Sequence, residues 1–120
     1  VKNPKFAPRP IPERQIEPFT DVEQVWFWFI HNQEMRHDGA RPERLLDIAR
    51  PCDPDDIYVI VMTLRRIGKI AHHHLQVLFE FGRSGRPPDS RAREEEIAAR
   101  LWDEALDRMI TPLKAKGILE

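Results

Sequence analysis

Four aromatic side chains in succession, Trp26-Phe27-Trp28-Phe29, sit inside a helical pattern and set the strongest constraint on how this chain folds. Val22, Val25, Trp26, Phe29 and Ile30 recur at intervals of three and four, the stripe of a core-facing helix. Successive helical residues point about 100° apart, so Phe27 and Trp28 fall outside that stripe. Either the helix is covered on several sides, or part of its aromatic area meets a partner. The pattern favours a central, nearly surrounded helix. On the second reading Phe27 and Trp28 are the partner-binding residues, and the fate of Trp28 decides: burial within the chain weakens that reading, exposure strengthens it. Thr20-Asp21-Val22-Glu23 predicts the helix start as a capping box, with Thr20 accepting from the Glu23 amide and Glu23 reaching back. Gly39 predicts its end, just after His37.

Prolines bound what comes before. Pro4, Pro8, Pro10, Pro12 and Pro18 leave no room for a helix or a central strand, so residues 1–19 read as an extended arm, punctuated by Phe6, Ile11, Ile16 and Phe19. After the aromatic helix, a short helix is predicted from Pro42 to Ala49, stopped by Pro51. Asp53-Pro54-Asp55-Asp56 restarts the chain, with an aspartate cap, a proline at the first helical position and carboxylates against the positive end of the helix dipole.

The helix that follows carries Ile57, Ile60, Val61, Leu64 and Ile67 on one face and Tyr58, Val59 and Met62 on another, which predicts deep burial. It ends at Arg65-Arg66 before Gly68. A further helix is predicted from Ala71 to Phe81 through Leu75, Val77, Leu78 and Phe79, then a loop from Gly82 to Pro88. The last helix is expected to run from Asp89 or Ser90 to Ile110 or beyond, burying Ile97, Ala98, Leu101, Trp102, Ala105, Leu106, Met109 and Leu113; Pro112 either kinks it or opens a last turn that closes at Gly117.

With 120 residues, 41% of them hydrophobic, the chain can form one domain around its own core. Its lone cysteine, Cys52, has no partner for an intrachain disulfide, which points to a reducing, cytoplasmic setting. No apolar run reaches the roughly 18 to 20 residues of a membrane span, and Val1-Lys2-Asn3-Pro4 lacks the apolar core of a secretory signal, so neither membrane nor export is expected.

The net charge of −1 hides segregation: residues 20–57 hold nine acids against four arginines, and residues 58–93 hold seven Lys or Arg against Glu80 and Asp89. Such a dipolar pattern steers an anionic partner when the fold keeps the cations together. It equally describes basic and acidic helices lying side by side. Two helices joined at Gly68 resemble a helix-turn-helix unit, in which Arg65, Arg66, Lys69, His72, His73 and Gln76 face DNA while Arg83, Arg86, Arg91 and Arg93 hold phosphates.

Consecutive histidines diverge on a helix, so His72, His73 and His74 do not chelate a metal together; one packing inward at a polar helix start is the favoured reading. Cys52 lies beside Asp53, which disfavours a thiolate, and Gly82-Arg83-Ser84-Gly85-Arg86 lacks the spacing of a phosphate loop. No reaction, cofactor or metal is proposed by these residues.

The order of the Trp-Phe-Trp-Phe helix, the Arg-Pro-Cys-Asp-Pro segment at 50–54, the Phe-Gly-Arg turn at 81–83 and the Leu-Trp-Asp-Glu-Ala-Leu helix at 101–106 resembles small bacterial proteins of the alphaproteobacterial type. That resemblance implies an intracellular bacterial protein and brings no activity, catalytic residue or ligand.

The expected fold is all-α: a compact bundle of four or five helices over residues 20–120, with the extended proline-rich arm at 1–19 and the first, third and fifth helices making the core. The expected function is that of a small non-enzymatic regulatory protein binding DNA through a helix-turn-helix-like basic unit at 54–93. The alternative is a protein–protein interaction or assembly module, a homodimer included, that uses the aromatic first helix and the arm.

Overall fold

The computed structural model describes residues 17–37 and 50–120, which form four α-helices: α1 (Val22–His37), α2 (Pro54–Arg66), α3 (His72–Ser84) and α4 (Glu96–Ala115). The fold is all-α, as the periodicity requires. The arm through Ile16, the Gly39 cap and the helix expected at Pro42–Ala49 lie outside the described residues.

α1 is the central helix. Val25, Trp26, Phe29 and Ile30 are buried, and α1 packs against each of α2, α3 and α4. α4 also touches both α2 and α3, so those two flank the α1–α4 pair instead of packing chiefly on one another. The core therefore draws on α3 as well as on the three helices expected to make it, through Val77, Leu78 and Phe81.

One close approach fixes α3 on α1. The fully buried Trp26 donates its indole N–H to the Leu78 carbonyl at 2.7 Å. That carbonyl sits within α3, where Gly82 is the next residue one turn on, and a Cβ at Gly82 would lie 2.8 Å from both Trp26 Nε1 and Ile30 Cγ1. Glycine inside a helix costs about 1 kcal/mol against alanine, and here its missing side chain is the space the indole occupies.

The helix starts differ from the expectation in register. Asp21, not Thr20, caps α1: its Oδ1 accepts from the Gln24 amide at 2.9 Å, and Gln24 Oε1 reaches back to the Thr20 N–H and hydroxyl. Glu23 is engaged elsewhere, accepting the Trp102 indole N–H from α4 at 3.0 Å. α2 starts as read, with Pro54 at its first position and the Asp56 carboxylate accepting from the Asp53 amide at 2.9 Å.

α3 runs on to Ser84 and stops at Gly85, whose φ of +78° is left-handed, so Gly82 is helical and not the start of a loop. α4 begins at Glu96 after a 3-10 turn at Arg93–Glu95, seven residues later than Asp89. The Asp89 carboxylate accepts from the Arg91 amide, a local turn that competes with helix formation. Pro112 lies inside α4, which continues to Ala115. The chain then turns at Gly117, φ +75°, and returns alongside Phe19: Phe19 N–H donates to Ile118 O at 2.9 Å, and Glu120 N–H to Phe19 O at 3.0 Å. Phe19 is 1% exposed, so the end of the arm belongs to the folded body.

Two expectations of burial fail. Ile97 is 65% exposed, because it belongs to the first turn of α4, where Ala99 takes the inward position. Tyr58 and Val59 on α2, and Ile67 just past its end, are more than half exposed, although Ile57, Ile60, Val61 and Leu64 are buried as expected. α2 is apolar nearly all round but has only α1 and α4 to lean on, so its outer side stays uncovered by the described residues.

Gly82→Ala is expected to lower the unfolding free energy by about 1–2 kcal/mol net, because displacing Trp26 and Ile30 outweighs the gain in helix propensity. Urea denaturation of the two proteins checks this; an alanine variant at least as stable as the parent would show that the notch is not required.

Candidate interaction surfaces

The described residues offer three surfaces: the aromatic flank of α1, the cations around the α2–α3 junction, and the outer side of α2.

Phe27 and Trp28 are both half-buried. Phe27 packs on Trp102 with ring centroids 5.6 Å apart, and Trp28 meets Phe19 edge-on at 5.3 Å. Together with Phe19, Glu23, His31 and Arg50 they line an open hollow of about 490 Å³. Arg50 lies over the Phe19 ring at 4.1 Å and donates to the Glu17 carbonyl, so that aromatic face already carries a cation from this chain. The Trp28 indole nitrogen is buried and has no hydrogen-bond partner among the described residues. Part of the α1 aromatic surface is thus spent inside the chain, and Trp28, half-buried beside Phe19, shows neither the burial nor the exposure that decides between the two readings of Phe27 and Trp28.

The cations divide into two groups at opposite ends of α3, which at 13 residues spans roughly 20 Å. Arg65, Arg66, Lys69, His72 and His73 are exposed at the α2–α3 junction and form no ion pair among the described residues. Gln76 is exposed one turn along α3. At the far end, Arg86 makes a two-pronged ion pair with Glu95 at 3.0 and 2.6 Å, and Arg91 pairs with Asp89 at 3.3 Å. Arg83 lies 5.7 Å from the Phe79 ring, and Arg93 is exposed on the 3-10 turn. The hydrogen bonds from Arg86 and from the Asp89 amide hold the Glu95 carboxyl down at about 2. Arg86 and Arg91 therefore close the loop before α4 through local pairs, not by setting a basic helix beside an acidic one.

Of the three histidines one turns inward. His74 is buried, and its Nδ1 accepts the Ala71 N–H at 2.9 Å, which caps α3. That bond leaves the ring proton on Nε2, which donates to Glu104 on α4 at 2.9 Å. Arg108, one turn beyond Glu104, lies 3.2 Å from the same nitrogen and also reaches the Lys69 carbonyl at 3.4 Å. The His74 hydrogen bond, aided by the Arg108 charge and opposed by desolvation, lowers the Glu104 carboxyl from its ordinary range. Sequence reasoning missed Glu104 and Arg108 because only the fold sets α4 beside the α3 N-terminus; their i, i+4 spacing was the one signal available.

The outer side of α2 presents Tyr58, Val59 and half-buried Met62 in a patch, with Asp55 and Asp56 at one end, Arg65 and Arg66 at the other, and Ile67 just beyond. Asp55 is 73% exposed and touches Arg36 of α1 at 3.1 Å.

Cys52 is not activated as a nucleophile by its surroundings among the described residues. Burial, followed by the charges of Asp56 and Asp53, pushes the Cys52 thiol up to about 11. Among the described residues no group of three or more His, Cys, Asp or Glu side chains is placed to hold a metal ion, and no helix is long and apolar enough to cross a membrane. Compared with family models, curated proteins and solved structures, the chain matches none.

The Arg86–Glu95 pair carries a pH signature. A carboxyl held at about 2 against an ordinary 4.5 adds stability that is complete above pH 4.5 and disappears as the pH falls towards 2. The stability difference between the parent and Glu95→Gln is therefore expected to shrink steadily over that interval in urea titrations. A difference that does not change with pH would show that the pair contributes no charge-dependent stability.

Proposed function

We propose that this protein is a non-enzymatic interaction module that assembles with another protein through the outer side of α2. The observation that supports it is the exposure of Tyr58 and Val59 on a helix whose composition is that of a buried one. Isolated apolar side chains on a surface are ordinary, but here they gather on one helix between charges of opposite sign. An apolar centre with a charged rim is how interfaces between folded proteins are built. The raised Cys52 thiol weighs against a cysteine nucleophile and is consistent with a binding role.

A photo-crosslinking amino acid at Val59, set against the same probe at exposed Asp103 on α4, tests this reading in living cells. Protein adducts from position 59 and none from 103 are expected. Equal yields, or none at 59, would remove the reading.

DNA binding stands second. It is favoured by Arg65, Arg66, Lys69, His72 and His73 lying together without ion-pair partners among the described residues. The engagement of Arg86 and Arg91 in ion pairs, and the separation of α2 from α3 by the α1–α4 pair, weaken its helix-turn-helix form. If DNA is the ligand, a mixed-sequence duplex should bind at low salt, and changing Arg65, Arg66 and Lys69 together to alanine should reduce the logarithmic salt slope by up to about three. Fluorescence anisotropy reads both quantities, and absence of binding at low salt would sink this second reading.

A further inference from the structure

We propose that the partner of α2 is a second copy of this chain, docked α2 against α2 in antiparallel orientation about a two-fold axis level with the Ile60–Val61 peptide. The inference rests on the reading of α2 as an assembly surface and adds the identity of the partner and the register of the contact.

The argument comes from the order of residues along the exposed side. At 3.6 residues per turn, Asp55, Val59, Met62 and Arg66 fall close to the midline of that side, with Tyr58 and Arg65 together on one edge. A two-fold axis that makes the helices antiparallel sets the start of one α2 beside the end of the other. Asp55 then faces Arg66 of the other copy, and Arg66 faces its Asp55. Val59 and Met62 face each other across the middle, and Tyr58 comes beside Arg65 of the other copy, where a guanidinium can cover a phenol ring.

Every contact is made twice, which is the self-complementarity that an isologous interface requires. A parallel pairing would set Asp55 on Asp55 and Arg66 on Arg66, so charge alone selects the antiparallel form. The same charges also suit the dipole of α2 itself, acid first and base last. That effect acts within one chain and cannot depend on which variants are mixed, so mixing separates the two explanations.

Two charge reversals make the test. Asp55→Arg gives a chain with arginine at both ends of the α2 midline, and Arg66→Asp gives one with aspartate at both ends. Sedimentation velocity from micromolar to millimolar concentration is expected to show the parent in monomer–dimer exchange. Each reversed chain should dimerise at least about tenfold more weakly, because two exposed ion pairs per dimer become two repulsions. The equimolar mixture of the two variants should regain the dimer, and the chain carrying both reversals should dimerise like the parent.

All the changed positions are exposed, and circular dichroism of each variant confirms that the helices persist. A monomeric parent, or a mixture that associates no better than its components, overturns the proposal. If position 59 nevertheless crosslinks to a different protein, the assembly reading stands and only the second copy is wrong; if it crosslinks to nothing, both fall.

Discussion

The indole of Trp26 resting in the notch at Gly82 is the contact on which the rest of the structure depends. α1 and α4 each touch all three other helices, and Trp26 ties α1 to the backbone of α3. The indole N–H needs an acceptor once it is buried, since an unpaired donor costs about 1–3 kcal/mol. It takes the Leu78 carbonyl, and only a residue without a side chain at position 82 lets it come near enough. With α3 fixed in this way, Phe81 and Leu78 close on the core, and His74 is carried to Glu104 of α4. The bundle is held by one tightly fitted aromatic and by buried polar groups such as the Trp26 and Trp102 indoles and His74 that find partners on neighbouring helices, with apolar area filling the space between.

The same arrangement explains the surface. α1 and α4 form the inner pair, and α2 and α3 lie to either side of it. A flanking helix has one protected side. α3 meets this with a polar outer side of His72, His73, Gln76, Glu80 and Arg83, whereas α2 keeps Tyr58 and Val59 there. The contrast between two helices in equivalent positions is what draws attention to α2, and the opposite charges at its two ends then give the patch a direction.

Charge segregation is a functional signal in the sequence, and the fold divides its meaning. Arg86 and Arg91 are consumed in organising the loop before α4, with Glu95 accepting from both the Arg86 guanidinium and the Asp89 amide. Arg65, Arg66 and Lys69, at the other end of α3, form no ion pair among the described residues. The seven cations of residues 58–93 thus divide into an ion-paired two, Arg86 and Arg91, Arg83 beside the Phe79 ring, exposed Arg93 on the 3-10 turn, and a cluster of three at the α2–α3 junction without ion pairs among the described residues, a distinction invisible to a sum over residues. The histidine triplet divides likewise: His74 becomes a helix cap with a buried ring, and its neighbours face outward because adjacent helical positions diverge.

The sequence by itself determined what local chemistry dictates. The three-and-four spacing in α1 and α4, the Asp53-Pro54 start of α2, the glycine that stops it at Gly68 and the inward turn of one histidine all follow from rules spanning a few residues. Only the tertiary structure decided which apolar side of a helix is used, because burial belongs to the neighbours and not to the helix. It moved the α1 cap from Thr20 to Asp21 because Trp102 claims Glu23, put Gly82 inside α3 where Trp26 needs the space of a side chain, and left Tyr58 and Val59 outside because, among the described residues, α2 packs only on α1 and α4. The candidate surface arose in this second step, where a pattern that reads as core meets a fold with nothing among its described residues to cover it.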